Sequence, residues 1–243
     1  MPIKKVIVEK ANRLYRFPPE IMSLASSERK RSLRKKTDVL DLAGFNWPVG
    51  FDSAESSPHS VLSPVETRKL DRLKEELADW YLTVHGARLN PSREIFIGAG
   101  ISSSIFGLSL AFIDNGDIAF VPDLAVPLYK KVTTACGGES VGYSISTRDN
   151  WRPNFERVGT RLGRVARVLF VNSPHNPTGY ELDEKDMADL VWTAGRENIM
   201  IINDAAYQTI SERKVVSLMG IDGGRKVGVE VGSFAYHFGL PPL

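Results

Sequence analysis

Two short polar segments carry the side chains of this sequence that are best suited to chemistry. The first is the octet NSPHNPTG at residues 172–179, and the second is NDAAY at residues 203–207. Each segment closes an apolar run, 168–171 and 199–202, of the kind that forms buried strands. A helical segment separates the two runs. Two strand ends therefore deliver Asn176, Asp204 and Tyr207 to one edge of a presumed parallel sheet.

An amide, a carboxylate and a phenol at one sheet edge suit a particular kind of ligand. In open α/β sheets, ligands bind outside the carboxyl ends of the strands. Asn176, Asp204 and Tyr207 together suit a flat heteroaromatic ring with one basic nitrogen and one ring oxygen. The alternatives are that Asp204 is a capping or turn residue and that Tyr207 is a tyrosine at the margin of the core.

A third candidate segment, GAGISSS at residues 98–104, lies between a predicted strand and a predicted helix. Backbone N–H groups at a helix N-terminus, together with the helix dipole, bind phosphate well. Hydroxyl groups of residues 102–104 can add hydrogen bonds. Gly100, Ile101 and Ser102 are therefore candidate phosphate-binding residues, although a strand–glycine–helix turn is also common without any ligand.

Strand and helix patterns alternate along most of the chain, which predicts an α/β fold. The expected architecture is a mostly parallel sheet with helices on both faces. Asp183 is the expected cap of the helix at 184–197. Strands are predicted at residues 38–43, 94–97, 118–121, 139–144, 167–171, 200–203 and 227–234, and helices at 63–85, 102–112, 126–136, 154–162 and 184–197.

Composition and charge narrow the possible functions. The chain has 243 residues, 42% of them hydrophobic, and a net charge of +2, so nothing favours nucleic acid or a membrane as a partner. Its apolar runs are far shorter than the roughly 20 residues that cross a bilayer. Without a secretory signal, and with only Cys136, a cytoplasmic location is expected. The four histidines are too scattered to indicate a metal site.

The octet and the D-x-x-Y segment at residues 204–207 resemble the class I/II aminotransferases, which are fold-type-I pyridoxal-phosphate enzymes. The resemblance is strongest to bacterial aspartate and LL-diaminopimelate aminotransferases and runs from about residue 12 onward. It implies a three-layer large domain at residues 51–243. Residues 1–50 would be an N-terminal arm and a remnant of the small domain, which is otherwise largely absent.

The resemblance also implies a cofactor, pyridoxal phosphate, and a role for each candidate residue. Asp204 would pair with the protonated pyridine nitrogen, which lets the ring accept electrons. Asn176 and Tyr207 would hydrogen-bond the ring oxygen. Gly100 matches the glycine of the phosphate-binding turn, with Ile101 and Ser102 beside it.

The sequence departs from the family at the lysine that bonds covalently to the cofactor. The matching stretch at residues 233–241 has Tyr236 at the lysine position, and a phenol cannot form that bond. The nearest lysines, Lys214 and Lys226, are expected on the wrong side of the strand. His237 is one residue out of register and, along a strand, would face the opposite side. Val126 replaces the aromatic residue that stacks on the cofactor ring.

Three functions remain open on these residues. The first is an aminotransferase-like domain that is catalytically incomplete, with the cofactor bound noncovalently or lost. The second is a working aminotransferase half, acting on an amino acid or a keto acid and completed by a partner chain. The third is an interaction protein with a vestigial pocket. The family continues well beyond residue 243 and supplies another sheet strand, so a homodimer or a complementing chain is expected to cover the open edge.

Overall fold

The computed structural model describes residues 64–238, and these form a sheet of five strands in the order β2-β1-β3-β4-β5. Every neighbouring pair is parallel, which confirms the predicted fold class. The strands are β1 at Ile118–Pro122, β2 at Glu139–Tyr143, β3 at Ala166–Asn172, β4 at Met200–Asp204 and β5 at Gly228–Val231. The predicted N-terminal unit at residues 1–50 and the predicted strand at 38–43 lie outside the described residues. So does the end, at 239–241, of the stretch that matches the family's lysine segment.

Seven α-helices accompany these strands in the described part of the chain, and none is long and apolar enough to cross a membrane. One of them, α5, has the predicted bounds, because the Asp183 side chain accepts a hydrogen bond from the Asp186 N–H and fixes the first turn. The helices are α1 at Pro64–His85, α2 at Pro91–Glu94, α3 at Ile101–Phe112, α4 at Leu128–Ala135, α5 at Glu184–Glu197, α6 at Gly224–Val227 and α7 at Phe234–Phe238.

Both faces of the sheet are covered by helices, so the core has two layers. Helices α3 and α4 bury Ile105, Tyr129 and Val132 on one face of the sheet. Helix α5 buries an apolar stripe on the other face. Successive strand residues point to opposite faces, and this alternation divides β4 between the two layers: Ile202 faces α3 and α4, whereas Ile201 faces α5.

The predicted strand at residues 94–97 is wrong. The Asn90 side chain accepts hydrogen bonds from the N–H groups of Ser92 and Arg93, which places Glu94 at the end of the short helix α2. Ile95 has extended backbone, yet residues 95–97 are not part of the sheet. No described strand pairs with residues 95–97, and an isolated extended segment does not form a stable strand.

Two further predicted elements are corrected by the structure. The helix expected at residues 154–162 is only a 3₁₀ turn at Glu156–Gly159, because Val158 alone is buried there and Gly159 interrupts the segment. The strand expected at 227–234 stops at Val231. The chain then enters α7, whose first turn closes with the hydrogen bond from the His237 N–H to the Ser233 carbonyl, 2.7 Å.

Candidate cofactor site

The ends of β3 and β4 lie side by side, with Asn172 in register with Asp204. Asn172 is buried, and its Nδ2 donates a 2.8 Å hydrogen bond to the Asp204 carbonyl. Its Oδ1 accepts a 2.7 Å hydrogen bond from the Asn176 N–H. One amide side chain therefore ties the two polar loops together at the carboxyl edge of the sheet.

The structure brings the predicted residues Asn176, Asp204 and Tyr207 to this edge. Nδ2 of Asn176 donates a 3.0 Å hydrogen bond to the Tyr207 hydroxyl. The peptide bonds before Pro174 and Pro177 are both cis. We refer to the residues grouped at this edge as the cradle: Tyr129, Asn172, Asn176, Asp204, Tyr207 and Tyr236.

Asp204 is a buried carboxylate whose hydrogen-bond donors are both neutral. The Tyr129 hydroxyl donates to Oδ2 at 2.7 Å, and the Ala206 N–H donates to Oδ1 at 3.1 Å. Burial raises the pKa of Asp204, and these two hydrogen bonds offset part of that rise. A buried carboxylate with neutral donors is well placed to pair with a cationic ligand group.

Sequence reasoning missed Tyr129. It lies in α4, three residues after Val126, and its ring stacks on Phe170 with centroids 5.2 Å apart. Its spacing from Val132 marks it as a core residue of an amphipathic helix, and nothing in the sequence shows that its hydroxyl reaches Asp204. Burial raises the pKa of Tyr129 well above its usual value, so it remains a neutral donor.

His175 holds the octet against the segment that precedes α4. Its Nε2 lies 2.9 Å from the Leu124 carbonyl, which can only accept, so Nε2 carries the proton and Nδ1 accepts from the Thr178 hydroxyl at 2.8 Å. Burial lowers the pKa of His175, and the bond to Leu124 offsets part of that shift. The neutral imidazole thus fixes the backbone beside Asn176. Sequence reasoning placed His175 in the octet without assigning it a role.

The candidate phosphate turn lies at the same edge of the sheet. Helix α3 begins at Ile101 after Gly100, whose φ of 93° is in the left-handed region that favours glycine. The short segment 113–117 joins the end of α3 to the amino end of β1, so the start of α3 lies toward the carboxyl edge. The first N–H groups of a helix have no partner within it, and Ser102 is exposed. The Ser104 hydroxyl instead donates to the Gly100 carbonyl at 3.0 Å.

Tyr236 lies in α7 and packs against Tyr207, with ring centroids 4.9 Å apart and an interplanar angle of 51°. The expected placement of His237 on a strand is wrong, because it also belongs to α7. Its Nε2 donates to the Ala205 carbonyl at 2.8 Å. Lys226 lies in α6, immediately before β5, and therefore at the opposite edge of the sheet.

A second polar cluster lies on the other face of β4 and β5, centred on Glu230. Asn203 and Glu230 are in register on neighbouring strands, so their side chains share a face. The Glu230 carboxylate accepts five hydrogen bonds, from the side chains of Tyr81, Asn203, Gln208 and Ser217 and from the Leu218 N–H. This cluster joins α1 to the strands that carry the cradle.

Curated proteins resemble this chain over most of its length. The curated relatives include the LL-diaminopimelate aminotransferases of Halothermothrix orenii, 27% identical, and Moorella thermoacetica, 26% identical; each alignment covers 96% of this chain and 62% of the relative. The chain therefore spans about three fifths of the length of these relatives.

Solved structures share the fold. Substrate-bound BacF of Bacillus subtilis superposes with a TM-score of 0.76 at 23% identity, over 96% of this chain and 61% of that one. A probable N-succinyldiaminopimelate aminotransferase of Thermus thermophilus gives 0.77 at 20% identity, over 88% and 60%. The family described as aminotransferase class I and II matches residues 54–243. The chain belongs to the class I and II aminotransferase family.

Proposed function

We propose that this chain is a pyridoxal-phosphate-binding large domain that holds the cofactor noncovalently and is catalytically incomplete. Members of the family use pyridoxal phosphate. The observation that carries the proposal is that Tyr236 packs against Tyr207 within a cradle that retains Asp204 and Asn176. The ring-binding groups are thus kept while the covalent anchor is replaced. The proposed unit is residues 51–243.

The surroundings of Asp204 fit the cofactor. Its hydrogen-bond donors, Tyr129 and the Ala206 N–H, are neutral, so a cationic pyridine nitrogen would provide the charge that the buried carboxylate lacks. Tyr129 orients the carboxylate through Oδ2. When bound, the cofactor supplies an electron sink for a developing carbanion. Asp204 would keep the proton on the ring nitrogen.

The remaining cradle residues would orient the ring and its phosphate. Nδ2 of Asn176 and the hydroxyl of Tyr207 already lie together and would both meet the ring oxygen. The N–H groups at Ile101 and Ser102, which follow Gly100, would receive the phosphate at the start of α3. These contacts need no covalent bond.

We expect neither Lys214 nor Lys226 to replace the family lysine. Tyr236 has a phenol where an amine is needed, and Lys226 lies at the other edge of the sheet. Val126 offers no aromatic face to stack on the ring. We therefore expect binding and orientation of the cofactor without transamination.

Adding pyridoxal phosphate to the purified chain and following its absorbance, then treating with borohydride and measuring the mass, tests the proposal. We expect a small absorbance shift and no mass adduct. A visible band that borohydride fixes to the chain would show a reactive lysine and overturn the proposal. No change at all would indicate a vestigial pocket. Asp204→Asn should abolish the shift, whereas Asp117→Asn, a control away from the cradle, should leave it intact.

The exposed edge of the sheet favours a second candidate function, an active aminotransferase half completed by a partner chain. In the described residues, β5 pairs only with β4, and its outer edge is open. Two large apolar side chains are exposed: Leu110, at 58%, on helix α3, which contacts β5, and Phe96, at 83%. Such a complex would transfer an amino group between an amino acid and a keto acid.

Light scattering over a range of concentrations tests whether a second copy of this chain is that partner. We expect a homodimer that Leu110→Glu, on α3, dissociates. Trp192→Glu is the control, because this exposed residue lies on α5, across the sheet from α3. A monomer at all concentrations, with no captured partner, would contradict both the dimer and the completed enzyme.

A further inference from the structure

The position of Tyr236 is fixed by the residue that follows it. His237 donates from Nε2 to the Ala205 carbonyl at 2.8 Å, and its own carbonyl accepts a 3.0 Å hydrogen bond from the Thr209 hydroxyl. Both partners belong to the loop after β4, which also carries Tyr207. The two phenol rings are therefore held together by α7 and by this loop, and their contact does not depend on a ligand.

Two adjacent phenol rings form a different environment from a lysine amine. Aromatic faces attract cations, and phenol oxygens accept hydrogen bonds from ammonium groups. Burial raises the pKa of Tyr207, so its ring remains a neutral phenol. None of the six cradle residues is cationic, and Asp204 is a carboxylate. The cradle consequently favours a ligand that brings positive charge.

We propose that the cradle selects pyridoxamine 5′-phosphate, the aminated form of the cofactor, over forms whose 4′ substituent is uncharged. This inference rests on the proposed function. In the family, the lysine bonds to the 4′ carbon, so the 4′ substituent is the part of the ligand that faces position 236. A 4′-ammonium group would there meet two phenol rings and donate to their hydroxyl oxygens. An aldehyde or an alcohol carries no charge for the rings to attract, and with Tyr236 the aldehyde gains no covalent bond.

Calorimetric titration of the full chain with three phosphorylated ligands tests the selection. Pyridoxamine 5′-phosphate, pyridoxal 5′-phosphate and pyridoxine 5′-phosphate share the ring and the phosphate and differ at the 4′ position. We expect pyridoxamine phosphate to bind about tenfold more tightly than pyridoxine phosphate, the neutral analogue. Pyridoxal phosphate should bind no more tightly than pyridoxine phosphate.

Two variants at position 236 show whether the aromatic ring or the hydroxyl group of Tyr236 causes the preference for the amine. Tyr236→Phe keeps an aromatic face and should retain most of the preference for the amine. Tyr236→Leu removes the face and should bring the affinities for pyridoxamine and pyridoxine phosphates to within about twofold. Circular dichroism of both variants establishes that they are folded.

The outcomes separate this inference from the proposed function. If none of the three ligands binds, the proposed function fails and the selection fails with it. If all three bind with equal affinity, or if pyridoxal phosphate binds most tightly, the cofactor site stands and the selection is wrong. If Tyr236→Leu keeps the full preference, the two rings are not its cause and the inference is likewise overturned.

Discussion

The Tyr129 hydroxyl lies 2.7 Å from Oδ2 of Asp204, although the two residues are 75 positions apart in the chain. This hydrogen bond links the helix α4 to the end of β4 and is made entirely within the buried layer between them. It is the shorter of the two hydrogen bonds that orient the Asp204 carboxylate. It also makes the carboxylate easy to perturb with a single substitution.

Tyr129→Phe removes that donor and keeps the ring that stacks on Phe170. We expect the free energy of unfolding to fall by about 1.5–3 kcal/mol, as is typical when a hydrogen bond to a charged group is lost. Urea denaturation measures the change. Tyr143→Phe is the matched control, because its hydroxyl donates to the neutral Phe170 carbonyl and its loss should cost about 1 kcal/mol. Equal losses in both variants would contradict a charged Asp204.

Asp204→Asn should separate stability from cofactor binding. The folded-state pKa of Asp204 is raised, so its stabilising contribution is complete below the unfolded pKa and is lost as the pH rises through the folded value. The asparagine variant lacks this loss. The stability of the variant relative to the original chain should therefore increase as the pH rises from acidic to neutral. The variant should also fail to bind the cofactor.

Thermal unfolding at a series of pH values, with calorimetric titration of the cofactor at neutral pH, checks both parts. A stability difference that stays constant across the series would show that the pKa of Asp204 is the same in the folded and unfolded states. Retained binding would remove Asp204 from the site.

Tyr236→Lys should restore a covalent attachment to the cofactor. The position lies beside Tyr207 in a helix that is anchored through His237, so the new amine would be delivered to the cradle. With pyridoxal phosphate we expect a visible absorbance band and, after borohydride, a stable mass adduct at residue 236. Tyr236→Met, similar in length but without an amine, is the control and should give neither. An adduct only on other lysines would mean that α7 does not present residue 236 to the ligand.

Glu230→Gln should destabilise the chain without directly changing the cradle. Five groups donate to the carboxylate, and the glutamine amide would turn two donor hydrogens toward them. We expect the free energy of unfolding to fall by about 2–4 kcal/mol. Chemical denaturation measures it, and Glu139→Gln on the exposed start of β2 is the control. A loss as small as that of the control would show that the cluster contributes little.

The local sequence pattern is sufficient to predict the helices and strands that bury a regular apolar stripe, and the loops at their ends. Helix α5 has an acidic cap and a stripe at helical spacing, and its bounds agree with the prediction. The apolar runs before Asn172 and Asp204 correctly predict two parallel neighbours. The roles of the cradle residues toward a cofactor remain predictions.

The incorrect predictions have a common physical origin, because they depend on contacts between segments that are distant in the sequence. Residues 95–97 have a strand-like composition, but a strand needs a partner, and none of the described strands pairs with them. The pattern after Val231 predicts a continuation of β5, whereas the chain turns into α7 and docks on the loop after β4. Tyr129 is polar only at its tip, so its partner can be identified only once the fold is known.

Side chains alternate between the two faces of the sheet at the end of β4, so the adjacent residues Asn203 and Asp204 make different contacts. Asn203 turns toward Glu230 and the α5 side, while Asp204 turns toward Tyr129 and the α3–α4 side. Inserting or deleting one residue within β4 would exchange these directions. The amide would then meet the ligand, the acid would meet Glu230, and ligand binding and folding would be lost in the same event.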